Sequence, residues 1–235
     1  DQPLGLNGSG GIILGLVQCG YSELAETMLS SALIRFILND DQLDIIGGCA
    51  GLIGPLLLIG SQEAKELASQ AGERLVKMQL DNGGWLTCGN REPILGFSHG
   101  CAGISSSLAQ LYKHCGDKRF LEAAAKGMSY ERSKFNAMHG NWPDLRGLVL
   151  RSKKDPEVFM TSWCHGAPGI GLSRAALWGT ELWDEKCNEE IAAAIQTIKN
   201  KPGGEGNNIC CGTAGLMIIA QIFPLALYQL LKRNK

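Results

Sequence analysis

The chain alternates between short apolar segments and longer segments in which apolar residues recur at three- and four-residue steps. In residues 62–79, Ala64, Leu67, Ala71, Leu75 and Met78 follow such steps, with charged residues between them. This periodicity places the apolar side chains on one face of a helix and the charged ones on the other. Three further segments share this character: residues 22–38, 118–134 and 181–199. The pattern predicts that these four segments form an outer layer of helices.

A short glycine-rich turn opens an apolar segment at five places along the chain. These turns begin at residues 8, 47, 99, 164 and 211. Small residues allow two backbones to approach closely, and the Leu, Ile and Ala residues that follow are apolar on most sides. Segments of this kind are typical of helices packed inside other helices. We therefore expect five inner helices.

The two kinds of segment alternate at a spacing of roughly fifty residues, as in repeat architectures where each hairpin covers its neighbour. Strand signals are nearly absent. The sequence therefore predicts an all-α fold, an α/α toroid or barrel of helical hairpins with inner and outer helix layers. In a closed ring of such hairpins, the turns that precede the inner helices would gather at one end of the barrel.

Composition excludes several classes of protein. The chain has 235 residues, 45% of them hydrophobic, which is enough for a core, and we interpret residues 1–235 as one domain. With 22 basic and 23 acidic side chains the formal net charge is -1, so we expect neither a nucleic acid nor a membrane as partner. The nine cysteines are odd in number and too sparse for a disulfide scaffold, which indicates a reducing, cytoplasmic location.

The chain begins at Asp1 without an initiator methionine and leads straight into an apolar segment. We interpret it as a fragment of a longer polypeptide. The region after Leu216 contains Pro224 where a sixth element should continue, so we expect the ring of hairpins to be incomplete in this chain.

Three cysteines lie at the last two glycine-rich turns: Cys164, Cys210 and Cys211. Three thiolates supplied by two loops can hold a zinc ion and leave its fourth tetrahedral position for a substrate thiol. The spacing alone is a weak signal, because it is no C-x-x-C pair. The two adjacent cysteines could instead form a redox couple, although the disulfide ring between neighbouring residues is strained.

His99 and Asp44 lie at or just before two other turns. An imidazole titrates near neutral pH and can move a proton, and a carboxylate can orient it. From the residues alone, helix capping explains either side chain equally well or better.

The remaining cysteines, histidines and tryptophans are interpreted as structural. Free cysteines usually pack as small hydrophobic residues, and this is the interpretation of Cys19, Cys49, Cys101, Cys115 and Cys187, while Cys88 is left undecided. Surface or loop positions are expected for His114 and His139. Connections between hairpins are expected to be anchored by Gly83-Gly84-Trp85 and Trp142-Pro143.

Several short motifs together resemble the lanthionine cyclase family. They are Ser98-His99-Gly100, Trp-Cys-His-Gly-Ala-Pro-Gly at residues 163–169 and Cys-Cys-Gly-Thr-Ala-Gly at residues 210–215. With Gly-Asn-Trp-Pro-Asp at residues 140–144, the chain resembles more narrowly the C-terminal cyclase domain of class II lanthipeptide synthetases. These bifunctional enzymes dehydrate Ser and Thr in a precursor peptide and then close thioether rings. The resemblance runs from Gly8 to about Leu216.

The last motif differs from most of that family. Cys211 stands where most members have a histidine, which is similar to the three-cysteine subgroup typified by the prochlorosin synthetases. The position after the first ligand, usually aromatic in the simpler cyclases, is His165, and no role is assigned to it. Family members resemble rings of seven hairpins, whereas this chain has five recognisable turns.

The resemblance implies a role for each candidate residue. Cys164, Cys210 and Cys211 match the ligands of one Zn²⁺ per chain, His99 matches a histidine that moves protons, and Asp44 matches an aspartate beside it. The implied reaction is Michael-type addition of Cys thiolates to dehydroalanine or dehydrobutyrine, which forms lanthionine and methyllanthionine rings. The implied partner is a ribosomally made precursor peptide with a leader. ATP and Mg²⁺ are expected only for an absent dehydratase domain.

Two alternative functions stay open. One is a non-catalytic zinc and thiol-binding protein, similar to eukaryotic cyclase-like proteins that bind glutathione. The other is an α/α-barrel terpenoid cyclase, because residues 79–85 fit its Q-x-x-x-G-x-W repeat. That repeat occurs only once here, and no Asp-rich catalytic motif accompanies it.

Overall fold

A computed structural model describes residues 3–146, 158–201 and 206–233, with side chains up to residue 223. Within these ranges the chain forms ten helices and no β-strand. In chain order they are α1 (Ser9–Gln18), α2 (Ser22–Glu26), α3 (Ser31–Leu38), α4 (Ala50–Ile59), α5 (Gln62–Met78), α6 (Cys101–Cys115), α7 (Lys118–Arg132), α8 (Ala167–Ala176), α9 (Glu185–Asn200) and α10 (Thr213–Arg233). No helix in the described part of the chain has the length and apolarity that crossing a membrane requires.

The helices form two layers. Helices α4 and α5, α6 and α7, and α8 and α9 pack as hairpins. The helices that follow the glycine-rich turns contact one another in the order α1, α4, α6, α8, α10 and form the inner layer. This arrangement confirms the predicted all-α toroid with inner and outer helices.

The two layers begin their helices differently. The outer helices α3, α5, α7 and α9 each start at a side chain that accepts a hydrogen bond from a backbone N–H of the first turn; these caps are Ser30, Ser61, Asp117 and Asp184. The inner helices α1, α4, α6 and α8 have no such side-chain cap, because each follows a tight turn. Polar capping residues therefore mark the outer helices in the sequence, and glycines mark the inner ones.

The predicted outer segments agree with the structure apart from one break and one late start, since α9 begins at Glu185 and not at residue 181. Residues 22–38 form two helices, α2 and α3, rather than one. The Thr27 hydroxyl donates to the carbonyl oxygen of Leu24, and Ser30 caps a new helix by accepting from the backbone N–H of Leu33. At the other end of the chain, α10 continues past Pro224 to Arg233.

Backbone hydrogen bonds join the five glycine-rich turns to one another. The N–H of Leu6 donates to the carbonyl of Ile45 (2.9 Å), and the N–H of Ile45 donates to that of Ser98 (3.1 Å). The N–H of Ser98 donates to the carbonyl of Cys164 (3.2 Å), and the N–H of Cys164 to that of Cys210 (3.1 Å). The turns therefore lie side by side at one end of the barrel, as the repeat predicts. We call this series of bonds the turn belt.

A glycine in the first turn of each inner helix allows this close packing. On α6, a methyl group at Gly103 would overlap the carbonyl oxygen of Phe97, six residues earlier. The same relation to the carbonyl six residues earlier holds at three other turns, for Gly51, Gly169 and Gly215. The recurring glycines of the sequence thus have a steric cause.

The expected packing of the structural residues is confirmed in part. Cys49, Cys101 and Cys187 are buried, whereas Cys19 and Cys115 are exposed, so the prediction for these two is wrong. Both exposed cysteines lie at the C-terminal end of an inner helix, α1 or α6, where the chain leaves the core.

Both predicted tryptophan anchors are buried and bonded. The indole N–H of Trp85 donates to the carbonyl of Leu75 (2.7 Å), and that of Trp142 donates to the carbonyl of Glu131 (2.9 Å). His114 and His139 are exposed, as expected.

Replacement of Gly103 by Ala tests the steric role of the turn glycines. We expect the free energy of unfolding to fall by about 1–3 kcal/mol, because the new methyl group must displace backbone. Urea unfolding followed by circular dichroism measures this change. Gly15→Ala is the matched control, since nothing lies within 4 Å of a methyl group there and its helix should gain about 0.5–1 kcal/mol. Equal stabilities for the two variants would contradict this interpretation.

Candidate functional site

The structure brings the three predicted sulfur ligands together at the turn belt. The Sγ atoms of Cys164, Cys210 and Cys211 all lie within 4.8 Å of one another. Cys164 is buried, Cys211 is half-buried and Cys210 is exposed, so the cluster has one open side. The backbone N–H of Cys211 donates to the side-chain oxygen of Asn208 (2.9 Å), which fixes the second cysteine loop. We call these three residues the sulfur cluster.

The electrostatics of the sulfur cluster suit a cation. Partial desolvation of its sulfur, and after it the neighbouring Cys164 and Cys211 thiols, raise the pKa of Cys210 to about 12. Three thiolates in this space would repel one another unless a positive ion lay between them. Zinc prefers such soft sulfur donors in a tetrahedral arrangement, so the donor set fits a zinc ion with one position left for another ligand.

Ser162 contacts the buried member of the sulfur cluster, Cys164. Its hydroxyl oxygen lies 3.2 Å from the Sγ of Cys164 and accepts a hydrogen bond from the backbone N–H of His165 (3.1 Å). A hydrogen bond from a neighbouring hydroxyl group can orient a metal-binding sulfur before the metal ion binds. Sequence reasoning did not single out Ser162.

Asp44 and His99 form the second part of the site. One carboxylate oxygen of Asp44 accepts from the backbone N–H groups of Ile46 (2.9 Å) and Gly47 (2.7 Å), so the carboxylate is fixed and buried. The other oxygen lies 2.7 Å from Nδ1 of His99. A carboxylate only accepts hydrogen bonds, so a proton on Nδ1 completes this one and leaves Nε2 available. The predicted pairing of the two residues is therefore present.

Cys88 contacts both members of this pair. Its Sγ lies 3.2 Å from the Oδ2 atom of Asp44 and 3.1 Å from Nδ1 of His99. Partial desolvation of its sulfur, followed by the Asp44 carboxylate, raises the pKa of the Cys88 thiol to about 12. The residue was undecided in the sequence because it lies in an irregular loop, between α5 and α6, where no periodicity indicates its direction.

His165 connects two turns as a neutral group. Its Nδ1 lies 3.0 Å from the carbonyl oxygen of Leu95 and donates to it, and its Nε2 lies 3.5 Å from the hydroxyl of Ser98. Burial, with the Arg146 guanidinium as the second cause, lowers the pKa of His165 to about 4. The side chain that the sequence left without a role therefore links the third and fourth turns.

Arg146 faces the sulfur cluster from the segment that follows Trp142. Its guanidinium donates to both carboxylate oxygens of Asp144, at 3.0 and 2.8 Å, and lies 2.9 Å from the sulfur of Met160. Asp144, together with the more distant Cys164 and Cys210 thiols, raises the pKa of Arg146. Arg146 was not singled out in the sequence, because the motif considered there ends at residue 144. The Asp-x-Arg spacing at residues 144–146 could have indicated the ion pair.

Two comparisons with known proteins find similarities to this chain. A family model described as "Lanthionine synthetase C-like protein" matches residues 5–229. Among solved structures, nisin cyclase superposes with a TM-score of 0.75 at 21% sequence identity, over 94% of this chain and 64% of nisin cyclase. At that identity the likeness shows the fold, the α/α toroid, and the chain spans 64% of the length of nisin cyclase. A search of curated proteins gives no match.

Asp44→Asn tests the electrostatic contact between Asp44 and Cys88. The amide keeps the acceptor oxygen but removes the negative charge, so the pKa of Cys88 should fall and more thiolate should form at pH 8. Alkylation by iodoacetamide, which requires the thiolate, should accelerate about tenfold for each pKa unit lost. Peptide mapping measures the rate at Cys88, with the distant, exposed Cys19 as internal standard. An alkylation rate at Cys88 equal to that in the wild-type protein would refute the electrostatic contact between Asp44 and Cys88.

Proposed function

Since this chain belongs to the lanthionine synthetase C-like protein family, we propose that it closes thioether rings in a dehydrated precursor peptide. The reaction is Michael-type addition of peptide Cys thiolates to dehydroalanine or dehydrobutyrine, giving lanthionine and methyllanthionine. The substrate is a ribosomally made peptide with a leader. The observation that carries the proposal is the convergence of a sulfur cluster with a histidine–aspartate pair at one end of a helical toroid.

The proposed metal ligands are Cys164, Cys210 and Cys211, which would hold one Zn²⁺. A bound zinc ion supplies the Lewis acidity that keeps a substrate thiol as its thiolate at neutral pH. Three protein thiolates and one Zn²⁺ sum to a charge of -1. The guanidinium of Arg146 interacts electrostatically with Cys164 and Cys210, while its pairing with Asp144 keeps it in place.

His99 is the proposed proton carrier. Its Nδ1 is held by Asp44, so its Nε2 is the nitrogen that can accept the proton of the incoming thiol. The sulfur then bonds to the β-carbon, and the electrons of the double bond move to form an enolate. His99 returns the proton to the α-carbon, which balances the addition. Asp44 stabilises the imidazolium between these two steps.

We place the chain in the three-cysteine subgroup that resembles the prochlorosin synthetases, within the class II enzymes. The support for this finer assignment is Cys211, which replaces a neutral imidazole ligand by a thiolate. A third thiolate adds negative charge at the metal and should raise the electron density on a bound substrate sulfur. ATP and Mg²⁺ would serve a dehydratase reaction and not the ring closure proposed for this chain.

A non-catalytic zinc and thiol-binding protein is the second candidate. The sulfur cluster alone would suffice for binding a thiol such as glutathione. The Asp44–His99 pair favours the enzyme, because a binding protein needs no oriented base beside its metal.

The terpenoid cyclase interpretation receives no support from its motif. The side-chain amide of Gln79 donates to the carbonyls of Gly83 and Ala123, both at 2.8 Å. Trp85 is buried against α5. This motif therefore ties a loop to α5 and α7.

Metal analysis tests the ligands. Purified protein dialysed against a weak chelator should retain one zinc per chain, and Cys164→Ala should lose it because two thiolates hold zinc less tightly than three. Mass spectrometry of the metal content measures both. Cys101→Ala removes an equally buried thiol outside the cluster and should keep its zinc. Full zinc retention by Cys164→Ala would exclude Cys164 as a ligand.

A cyclisation assay tests the enzyme against the binding protein. Given a dehydrated peptide, the protein should form thioethers, counted by alkylating the leftover thiols. His99→Asn should lower the rate about 10²–10⁴-fold while retaining the zinc of the sulfur cluster, because it removes proton transfer and none of the three cysteine ligands. His114→Asn, an exposed histidine near the end of α6, is the control and should keep the full rate. Zinc binding without any thioether formation would favour the binding protein.

A further inference from the structure

Cys88 occupies a backbone position that disfavours it. The turn at residues 87–90 closes with a hydrogen bond from the backbone N–H of Asn90 to the carbonyl of Thr87 (3.0 Å). Its central residues, Cys88 and Gly89, have φ angles of 52° and 67°, as in a type I′ turn. Glycine and asparagine are the usual residues at such positions, and another side chain there costs about 1–2 kcal/mol. A cysteine kept at this cost suggests a use for its sulfur.

The turn places that sulfur against two other metal-binding atoms. The Oδ2 atom of Asp44, Nδ1 of His99 and Sγ of Cys88 lie 2.7, 3.1 and 3.2 Å from one another. Around a tetrahedral zinc ion, oxygen, nitrogen and sulfur ligands lie roughly 3.3–3.6 Å apart. Each pair would therefore separate by roughly half an ångström to admit an ion.

Hydrogen bonds from the surrounding protein hold Asp44, Cys88 and His99 in place, and the last two residues are partly open to solvent. Asp44 is fixed by two backbone N–H groups, and the hydroxyl of Thr87 donates to the carbonyl of His99, which joins the turn to the imidazole residue. Cys88 is exposed, and 29% of the His99 side chain is accessible. A metal ion can thus enter from solvent and keep a water as its fourth ligand.

We propose that Asp44, Cys88 and His99 form a second site for a zinc-class divalent metal ion, separate from the sulfur cluster. The Cys88 thiol loses its proton to solvent when the ion binds, and the proton on Nδ1 of His99 moves to Nε2. One thiolate, one carboxylate and a divalent cation then sum to zero charge. This site binds more weakly than the sulfur cluster, because it has one thiolate instead of three.

A metal ion bound at this second site would inhibit cyclisation. This part of the inference rests on the proposed function. An ion bound at Nδ1 of His99 leaves the proton on Nε2, the nitrogen that should accept the substrate proton. The same ion takes the Asp44 oxygen that orients the imidazole. Cyclisation should therefore slow as the second site fills, although the sulfur cluster is unchanged.

Titration of the metal-free chain with Co²⁺, without peptide, tests the site. We expect two equivalents to bind, the first with strong thiolate-to-cobalt absorption from three sulfurs and the second with a weaker increment from one. Cys88→Gly should bind only one equivalent. Glycine suits the positive φ angle, so this variant should unfold at the same or a higher temperature, which thermal unfolding checks. Cys115→Ser, which removes an exposed thiol at the end of α6, should still bind two.

The outcomes separate this inference from the proposed function. A single equivalent in the unchanged protein, or two in Cys88→Gly, would overturn the second site. Cys164→Ala should lose the first, strongly absorbing equivalent and keep the second. In the cyclisation assay, excess Zn²⁺ should slow the unchanged protein about tenfold or more, if nine-tenths of the sites fill, but should not slow Cys88→Gly relative to its own rate. If the chain with only the first equivalent bound forms no thioethers, the proposed function is refuted, and the binding of a second equivalent would still support the second site.

Discussion

The functional end of this protein depends on direct backbone hydrogen bonds between neighbouring glycine-rich turns. Each inner helix begins where its turn donates to or accepts from the next, so residues far apart in the sequence come within bonding distance. The bonds require the backbones to touch, and the glycines in the first turn of each inner helix make this contact sterically possible. The sulfur cluster and the Asp44–His99 pair are side chains carried by this belt.

The polar groups at the turn belt differ between its solvent-facing side and the layer beneath it. The open side of the barrel end carries the sulfur cluster and His99, the groups to which the proposed reaction assigns metal binding and proton transfer. The groups beneath them are neutral or paired: His165 is a buried neutral imidazole, and Arg146 is held by Asp144. Two histidines on adjacent turns thus have different partners, since His165 is bonded to a carbonyl and His99 to a carboxylate. Burial, and after it the Arg146 guanidinium, lower the pKa of His165 to about 4, so this histidine is neutral at neutral pH.

Much of this arrangement could be predicted from sequence because it repeats. The glycine turns, the capped outer helices and the gathering of Asp44, His99 and the three cysteines at one end all follow from one periodic pattern. Features that do not repeat were missed. Cys88 and Arg146 lie in connections of irregular backbone, where neither helical nor strand periodicity predicts the direction of a side chain. The break between α2 and α3 depends on the local hydrogen bonds of two hydroxyl groups, and the exposure of Cys19 and Cys115 depends on where each helix leaves the core.

Cys164 has two tasks at once. Its backbone accepts hydrogen bonds from Phe97 and Ser98 and donates one to Cys210, while its sulfur belongs to the sulfur cluster. A zinc ion held there, as proposed, would therefore also fasten the two cysteine-bearing turns to each other, and its binding energy would add to the folding energy of the ring. Under metal scarcity such a protein loses folded population as well as turnover, so cellular zinc supply would govern its abundance.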